Sequence, residues 1–366
     1  MNHPQVPLGE VADFVNGAAF KPEDWVDDGL PIIRIQNLTD SDKPFNYTER
    51  IVPEKLVVNP GDLLVSWSAT LGVFQWNGPK GLLNQHIFRV LPNDEVVDKN
   101  YLKHTLGQAI NDMERHLHGA TMKHVNRGEF LGTRIPLPPL EEQQRIAAIL
   151  DKTIELSSAN RQRKDLLRAL PLSVYRQMLG DPRHNPFQWP VFRLGEICLN
   201  EDARRVPVKS SDRKAMQGRY PYYGASGVID HVDDYLFDGQ RLLVGEDGAN
   251  LIARSYPIAF IADGKYWVNN HAHVLSENGK AKLRFLEYYF ALVDLKPFVT
   301  GSAQPKLTRS ALDSLPIPLP PLDLQERFES VLTALNARFA QAEISAQKTS
   351  SLSSALRYAS FHGDAG

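Results

Sequence analysis

The sequence contains a single cysteine, Cys198, among 366 residues. One cysteine cannot form an intramolecular disulfide, and the segment Met1 to Val11 lacks the basic start and apolar core of a signal peptide. Long apolar runs are also missing: the stretch Gly61 to Phe74 is interrupted by Asp62 and several hydroxyl residues, whereas a membrane helix needs about 20 successive apolar residues. We therefore expect a soluble, cytoplasmic protein with no membrane segment.

The sequence also lacks an excess of positive charge. Its 41 Lys and Arg are balanced by 43 Asp and Glu, which gives a net charge of −2. The chain therefore lacks the overall positive charge that is typical of many nucleic-acid-binding proteins. Any contact with DNA must depend on local groups of side chains. With 42% hydrophobic residues, the chain has enough apolar material for two packed domains and additional helices.

The motifs of catalytic sites are missing too. The sequence has no Gly-x-x-x-x-Gly-Lys-Ser/Thr phosphate loop, no Gly-x-Gly-x-x-Gly loop and no Cys/His cluster at zinc spacing. Its Pro-Pro pairs lie in Leu-Pro-Pro-Leu rather than in the Pro-Pro-aromatic motif of amino-methyltransferases. Asp247, Asp263 and Lys265 resemble a nuclease set only loosely, because acidic residues beside glycine usually mark turns. The sequence therefore predicts no catalytic residue, no metal and no cofactor.

What the sequence does contain is an internal repeat of long period. Ile135 to Leu140 reads Ile-Pro-Leu-Pro-Pro-Leu and recurs letter for letter at Ile317 to Leu322. Shorter matches keep the same order: Leu63-Leu64-Val65 with Leu242-Leu243-Val244, Asn84-Gln85-His86 with Asn269-Asn270-His271, and Gly119 to Lys123 with Gly301 to Lys306. A lone proline run would suit a polyproline spacer or an SH3 ligand. Its duplication favours a hinge that fixes how a helix leaves each of two domains.

A long helical pattern follows each proline run. The first is expected from Glu141 to Met178, and the second from Asp323 to Ala359, each about 55 Å long. Pro171 is expected to kink or interrupt the first. Apolar residues on heptad positions predict that the two helices pack together. These residues are Ile146, Ile149, Leu156, Leu167, Leu170 and Val174 in the first helix, and Phe328, Val331, Leu335, Ala342, Leu352 and Leu356 in the second.

Both domains alternate short β patterns with a helix. In the first half, Ile32 to Ile35, Asp62 to Trp67 and His86 to Val90 are predicted strands, and Tyr101 to Leu117 is a predicted helix. We therefore predict an α+β fold with two repeated mixed α/β domains separated by two long antiparallel coiled-coil-like helices. The expected boundaries are 1–139 for the first domain, 140–180 for the first helix, 181–321 for the second domain and 322–360 for the second helix.

Side chains suited to DNA occur in both halves. Lys and Arg neutralise phosphates, Arg suits guanine, and Asn or Gln suits adenine. The first-half candidates are Arg34, Gln36, Asn37, Ser66, Trp67, Ser68, Thr70, Asn84, Gln85, His86 and Lys123. The second-half candidates are Arg204, Arg205, Lys209, Tyr220, Tyr222, Tyr223, Ser226, Glu246, Asp247, Asn250, Asn269, Asn270, His271, Gln304 and Lys306. Taken one at a time, these residues have an equally good structural explanation. The basic and tyrosine-rich stretch can be a solvated loop beside core tyrosines, and the polar side chains can satisfy buried backbone groups.

Taken together, these segments resemble the target recognition domains of type I restriction-modification specificity subunits. The segments that carry the resemblance are Gly17 to Phe20, Pro31 to Ile35, Gly61 to Trp67, Asn84 to His86, Tyr222 to Gly227, Gly245 to Asn250 and Asn269 to His273. The proline run followed by Glu141 to Ile146 resembles the start of the spacer helix of that family. The second copy departs from this pattern in having one Gln, within Leu322 to Arg327, where the first has two.

The resemblance implies a non-catalytic subunit whose two domains each read one half of an asymmetric bipartite target in double-stranded DNA. It further implies that the helices set the spacing of the two half-sites and dock two methyltransferase subunits, through which restriction subunits join the complex. S-adenosylmethionine, ATP and magnesium then belong to the partners. The helix residues expected to contact partners are Gln143, Ile146, Ile149, Leu156, Gln325, Phe328, Val331 and Leu335.

Three other classes of protein are open at this point. A fused methyltransferase or nuclease would show activity as an isolated chain. A stand-alone transcription regulator would contain a compact helix-turn-helix and a ligand domain, and neither is evident. An interaction scaffold without DNA contact is compatible with the low net charge, and duplex binding distinguishes it from the specificity subunit.

Overall fold

The computed structural model describes residues 3–116, 127–301 and 304–362. The chain divides into two compact units. The first contains residues 1–161 and 344–366, and the second contains residues 162–343.

The first unit consists of short strands and helices that precede a long helix. Its strands are β1 Gln5–Pro7, β2 Ala12–Asn16, β3 Leu30–Ile33, β4 Asn46–Thr48, β5 Val57–Val58, β6 Leu63–Ser66, β7 Gly72–Gln75, β8 Gly81–Leu83, β9 Ile87–Pro92 and β10 Arg134–Pro136. Its helices are α1 Leu8–Val11, α2 Ile35–Thr39, α3 Lys99–His116 and α4 Arg127–Gly132, and the first part of α5, which runs Leu140–Leu179. Short 3-10 turns lie at Pro22–Asp24 and Glu54–Leu56.

The second unit repeats this series. Its strands are β11 Val191–Arg193, β12 Cys198–Asn200, β13 Gln217–Gly224, β14 Gly227–Val232, β15 Phe237–Asp238, β16 Arg241–Gly245, β17 Ala259–Ala262, β18 Lys265–Val268, β19 Ala272–Glu277 and β20 Pro316–Pro318. Its helices are α6 Leu194–Ile197, α7 Ser210–Arg213, α8 Asn250–Ala253, α9 Leu283–Leu292 and α10 Arg309–Asp313, and the first part of α11, which runs Leu322–His362. Its 3-10 turns lie at Asp202–Arg204 and Lys296–Phe298.

Both units have the same sheet topology. The antiparallel sheet β2-β9-β6-β7 corresponds to β12-β19-β16-β17, and the mixed sheet β4-β3-β8-β5 corresponds to β14-β13-β18-β15. In each mixed sheet the central pair, β3 with β8 or β13 with β18, is parallel. The small pair β1-β10 corresponds to β11-β20. The sequence repeat is therefore a repeat of fold, and the predicted class of two repeated mixed α/β domains with two long helices is confirmed.

The repeated Leu-Leu-Val segment forms the strand that lies between two cores in each unit. Leu63 and Val65 face the core built with α3, α4 and α5, whereas Leu64 faces the smaller core under the mixed sheet. Leu242 and Leu243 divide between two cores in the same way. A strand that is buried on both faces reads as a continuous apolar run, and each fully buried side chain of this kind stabilises the fold by roughly 1.5–3 kcal/mol.

Helix α2 corrects one predicted strand. The strand β3 ends at Ile33, and Ile35 lies in α2 rather than in the sheet. The turn forms because the Asn37 side chain accepts a hydrogen bond from the Arg34 backbone N–H at 3.1 Å, and such local bonds compete with strand pairing.

A buried glutamine fixes the start of each long helix. Gln143 accepts a hydrogen bond from the Asp98 backbone N–H at 2.8 Å and donates to the Pro138 carbonyl at 2.8 Å. Gln325 repeats this arrangement, accepting from the Lys282 N–H at 2.9 Å and donating to the carbonyl five residues before it at 2.8 Å. Both side chains are fully buried. The proline run and the glutamine after it thus attach each helix to the domain that precedes it.

The two long helices run antiparallel within the first unit, as predicted. Thr153 Oγ1 donates to Ser353 at 3.3 Å, and Asn160 Nδ2 donates to Thr349 at 3.1 Å, so residue numbers rise along one helix as they fall along the other. These contacts are polar. The predicted apolar heptad seam is wrong at several positions, because Ile149, Leu156, Val331 and Leu352 are exposed.

The same antiparallel pairing is present within the second unit. Lys164 forms an ion pair with Glu343 at 3.2 Å, and the Arg168 guanidinium lies over the Phe339 ring at 5.4 Å. The helix α5 continues through Pro171 without interruption. The boundaries predicted for the long helices agree with the observed ones to within three residues.

Candidate nucleic-acid interface

A three-residue loop follows the parallel strand pair in each unit. Asn84 donates its backbone N–H to the carbonyl of Ile33 at 3.1 Å, and Asn269 donates to the carbonyl of Tyr223 at 3.0 Å. At its other end the third loop residue accepts from the loop after the antiparallel strand, as His271 does from the Glu246 N–H at 2.9 Å. The matched Asn-Gln-His and Asn-Asn-His segments therefore occupy equivalent positions, where each joins the two sheets of its unit.

Beside this loop, the first unit carries aromatic side chains. Trp67 stacks on Phe88 with ring centroids 5.7 Å apart and contacts His86 at 4.9 Å. The Trp67 Nε1–H donates to the Asn16 side chain at 3.2 Å. The half-buried indole and imidazole rings are inclined to each other by 64°, and aromatic side chains of this type can pack on sugars and bases.

In the second unit the same positions carry charge. The strand registers place Glu246 at the position of Trp67 and His273 at that of Phe88. His273 Nδ1 lies 2.6 Å from Asp202 Oδ2, and its Nε2 lies 2.8 Å from the Leu307 carbonyl. Both partners are acceptors, so each of these contacts is a hydrogen bond when the ring nitrogen that faces it carries a proton.

Arg205 completes this buried network. Its guanidinium donates to Glu246 at 2.7 Å and to the Ala272 carbonyl at 2.8 Å, and it lies 3.2 Å from Asp202. The atoms of Asp202, Glu246 and His273 that could bind a metal ion lie within 4.8 Å of one another. A metal bound by His273 would need the ligating ring nitrogen without a proton, whereas both ring nitrogens face hydrogen-bond acceptors and the Arg205 guanidinium pairs with both carboxylates. The group is therefore an ion-pair network.

The carboxylates of the network are held in the ionised form. Burial alone would raise the pKa of Asp202, but the hydrogen bond and charge of His273, with the Val274 N–H and Arg205, outweigh burial and lower that pKa. Burial likewise opposes ionisation of Glu246, and the hydrogen bond from Arg205 with the charge of His273 lowers its pKa. Paired charges of this kind tolerate removal from water only when every partner remains.

The segment that contains Lys306 is tied to this network. Its backbone pairs with that of Asp247, and Leu307 N–H donates to the Glu246 carbonyl at 2.8 Å. The Lys306 ammonium lies 3.1 Å from the Glu246 carboxylate while half of the side chain is exposed. Lys306 is thus a half-exposed surface cation that is paired with Glu246. The matching Lys123 lies outside the described residues.

Several first-half candidates have internal roles instead. The Asn37 side chain is buried and bonds to the backbone of Arg34 and Lys43. Ser66 is fully buried and donates to the Ser68 carbonyl at 3.2 Å. The Asn37 and Ser66 side chains hold loops in place, and the Ser68 side chain is buried, so all three are corrections to the predicted DNA contacts. Gln36, Thr70 and Gln85 are exposed, and Arg34, Trp67, Asn84 and His86 are half-buried.

The second half contains similar corrections. Tyr222 is buried, its hydroxyl accepts from the Val208 N–H at 2.9 Å, and its ring lies under Arg213. Asn250 closes its loop by donating to the Tyr256 carbonyl at 2.9 Å. Arg205 and Glu246 are partners in the network rather than free surface charges. The Tyr223 ring packs against Phe260 and Tyr266. Arg204 bonds to Glu201 and the Leu236 carbonyl, but half of its side chain is exposed, so its contact with DNA stays a prediction.

The remaining second-half candidates lie at the surface. The His271 imidazole is half-exposed and lies 2.8 Å from the Asp247 carboxylate. The Tyr220 hydroxyl accepts a hydrogen bond from Arg219 at 2.8 Å. The exposed candidates are Lys209, Ser226, Asn270, Gln304 and Lys306. Sequence reasoning missed Asp202 and His273 because nothing in the local pattern links residues that lie 71 positions apart.

The predicted partner contacts on the long helices divide into two groups. Gln143, Ile146, Gln325 and Phe328 are buried against their own domains, so their side chains are occupied within the chain and are not available to a partner. Ile149, Leu156 and Val331 are exposed, and Leu335 is half-buried. Among the described helices, none is long and apolar enough to cross a membrane.

The sequence is similar to several curated proteins. A protein from Haemophilus influenzae that is named as a type I restriction enzyme specificity subunit is 42% identical over 146 residues. These are 39% of this chain and 36% of that protein. The Escherichia coli EcoBI specificity subunit is 28% identical over 47% of this chain and 36% of its own length, so the chain spans about a third of each of these relatives. The Methanocaldococcus jannaschii MjaVIII specificity subunit is 23% identical, with 89% and 85% covered.

The fold is similar to solved structures over nearly the whole chain. An S subunit of a type I restriction-modification system from M. genitalium matches with a TM-score of 0.59 and 15% identity, covering 99% of this chain and 96% of that one. The HsdS subunit of Thermoanaerobacter tengcongensis matches with a TM-score of 0.51 and 18% identity, covering 99% and 97%. At these identities the likeness concerns the fold.

The family profile agrees with the internal repeat. The family described as type I restriction modification DNA specificity domain matches residues 4–169 and again residues 186–349. The two matches correspond to the two halves of the repeat, and the resemblance noted in the sequence is confirmed. The chain therefore belongs to the type I restriction modification DNA specificity domain family, of which it carries two copies.

Proposed function

We propose that this chain is the DNA-reading subunit of a type I restriction-modification complex, in which each unit reads one half of a bipartite target. The observation that carries the proposal is the pair of equivalent loops that join the two sheets. They present Asn84, Gln85 and His86 in one unit and Asn269, Asn270 and His271 in the other. The same scaffold with different side chains is what two readers of different half-sites require.

The surroundings of the loops support different half-sites. Trp67 with His86 gives the first surface an aromatic character, whereas the equivalent Glu246 lies in an ion-pair network that also holds Lys306. Phosphate contacts position a protein on DNA, and contacts to base edges specify the sequence. Lys306 suits the first role, and the exposed amides of Gln85 and Asn270 suit the second. Because the two units present different side chains, we expect the two half-sites to differ in sequence, which makes the target asymmetric.

The long helices support the second part of the proposal, which is that they set the spacing of the half-sites and dock two methyltransferase subunits. Their mutual contacts include polar pairs and the packing of Tyr175 on Phe328, while apolar side chains such as Ile149, Leu156 and Val331 are left exposed. Exposed apolar residues of this kind are available to a partner. Restriction subunits would join through the methyltransferase core, and the domain limits 1–139 and 181–321 remain part of this proposal.

In this proposal the catalysis and its cofactors belong to the partners. The chain supplies recognition, whereas methyl transfer and cleavage require partner subunits that bind S-adenosylmethionine or ATP with magnesium. A cytoplasmic location follows from this proposal, since the chromosome of the host cell is the DNA that the complex acts on.

Binding and methylation assays on the purified components test the proposal. The chain with its methyltransferase partner should bind duplex DNA that contains the motif methylated in the host, and it should transfer methyl groups from S-adenosylmethionine. The chain alone should not methylate or cleave that duplex. Methyl transfer by the chain alone, or a complex with no preference for the motif over a scrambled duplex, would contradict the proposal.

A further inference from the structure

The two units differ at one position beside the matched loops. Arg34 directly follows Ile33, the last residue of β3, and Asn84 directly follows Leu83, the last residue of the parallel strand β8. In the second unit the equivalent positions hold Gly224, at the end of β13, and Asn269. The first unit therefore places an arginine and an asparagine side by side in sequence register at the same end of a parallel strand pair, where the second unit has only the asparagine.

The Arg34 guanidinium makes no hydrogen bond or ion pair with the side chains and carbonyls that the structure describes, and its buried Nε has no hydrogen-bond partner there. The guanidinium instead lies over the Trp25 ring, 4.6 Å from its centroid. An arginine that only stabilises the fold normally has its donors satisfied by carboxylates or carbonyls. Stacking on an indole restricts the planar fork without using its donors.

The equivalent asparagines, Asn84 and Asn269, also differ in their hydrogen bonds, and again the first unit has the group without a partner among the described residues. In the second unit, Asn269 Oδ1 accepts a hydrogen bond from the His271 backbone N–H at 2.8 Å and so closes its loop. In the first unit, Asn84 Oδ1 is buried and has no hydrogen-bond partner among the described residues. A Cβ added at Gly17 would lie 1.9 Å from the Asn84 carbonyl oxygen, so the neighbouring backbone packs tightly on this residue and fixes its position. A buried asparagine side chain is thus held beside the Arg34 fork, at the end of the same strand pair.

The geometry points to Arg34, with Asn84, as the reader of a G·C pair in the half-site bound by the first unit, an inference that rests on the proposed DNA-reading function. In the major groove guanine presents two acceptors, N7 and O6, and its cytosine presents the N4 amino donor. The arginine fork matches the two guanine acceptors, whereas the Asn84 oxygen is buried, so Asn84 acts by positioning the loop beside the fork. The second half-site has no equivalent contact, because Gly224 has no side chain.

The test is selection of bound DNA from a randomised duplex library by the full chain in complex with its methyltransferase partner. The wild-type complex is expected to select a fixed guanine in one half-site. Arg34→Ala should reduce the preference for that guanine by roughly 5- to 150-fold, the range for one bidentate contact. Asn84→Ala should weaken the preference at the same pair, and the other half-site should be unchanged in both variants.

Two further variants separate base reading from other roles. Arg34→Lys keeps the charge but loses the planar fork, so the salt dependence of binding should stay the same while the guanine preference falls. Arg50 provides a matched control in the same unit: it also lies over an aromatic ring, that of Phe20, but its guanidinium donates to the Ala19 carbonyl at 2.9 Å. Arg50→Ala should leave every base preference intact. Thermal melting of each variant confirms that the units remain folded.

The outcomes separate this inference from the function on which it rests. Retention of the complete motif by Arg34→Ala or by Arg34→Lys overturns the inference and leaves the DNA-reading function intact. Loss of preference in the other half-site overturns the assignment of this pair to the first. A wild-type complex that selects no motif at all overturns both.

Discussion

The His273 imidazole donates to the Asp202 carboxylate at 2.6 Å, and both side chains are buried between the sheet and the segment that carries Lys306. Together with Arg205 and Glu246, this pair forms a network in which each charge has an opposite partner. At the equivalent place the first unit has Trp67 stacked on Phe88. The same position of one fold is thus stabilised by ring stacking in one copy and by ion pairs in the other.

The Asp202–His273 pair predicts a stability that depends on pH. Asp202→Asn removes one of the two carboxylates of the buried network, which leaves Glu246 as the one charged acceptor for both Arg205 and His273, and should lower the free energy of unfolding at pH 7 by about 3–5 kcal/mol. The folded-state pKa of Asp202 is lowered, so its contribution is present above the unfolded pKa of about 3.9 and is lost as the pH falls through the folded pKa. The difference between wild type and variant should therefore shrink below about pH 4 in urea unfolding. A constant difference across pH would contradict this account, and Asp263→Asn, at an exposed carboxylate, is the control.

Lys306 is predicted to contact a phosphate. Its ammonium lies beside Glu246 and half of its side chain is exposed, so Lys306→Ala should weaken binding of target DNA uniformly across sequences. The slope of log K against log salt should fall by about 0.9, the value for one phosphate contact on duplex DNA. Lys280→Ala is the control, because Lys280 bonds to the Glu196 carbonyl. An unchanged slope in Lys306→Ala would indicate that Lys306 only neutralises Glu246.

The buried glutamines predict a local loss of stability. Gln143→Ala removes the acceptor for the Asp98 N–H and leaves buried carbonyls without a donor, which should cost about 1–3 kcal/mol. Hydrogen exchange should show the loss as faster exchange at the start of α5. The adjacent Gln144 is exposed, so Gln144→Ala should have little effect. Equal effects of the two substitutions would show that the buried hydrogen bonds do not anchor the helix.

The helix pair predicts how the spacing of half-sites can be changed. Asn160 bonds to Thr349, so four residues inserted after Asn160 alone would put the two helices out of register. Four residues inserted there and four more opposite, before Thr349, should keep the pairing and lengthen both helices by about 6 Å. The spacer of the methylated motif should then grow by one or two base pairs. Methylation that keeps its original spacing in the paired variant would contradict the spacing role.

The repeated fold could be predicted from the sequence because the proline runs and the Leu-Leu-Val strands are local patterns. The partners of individual side chains could not. Tyr222 reads as an exposed ring among basic residues but is buried because Arg213 covers it and the Val208 backbone bonds to its hydroxyl. Asp202 and His273 are ordinary residues in sequence and become a pair only because β19 lies beside the turn after β12.

The measurement that tests the central claim most directly is the motif methylated by a complex in which residues 185–315 are exchanged for the matching segment of a relative with a different target. Two independent readers predict that single-molecule sequencing of the host DNA will show one half-site replaced, with the other half-site and the spacer length unchanged. If the exchange altered both half-sites, or altered neither, the two units would not be separate readers and the account would be wrong.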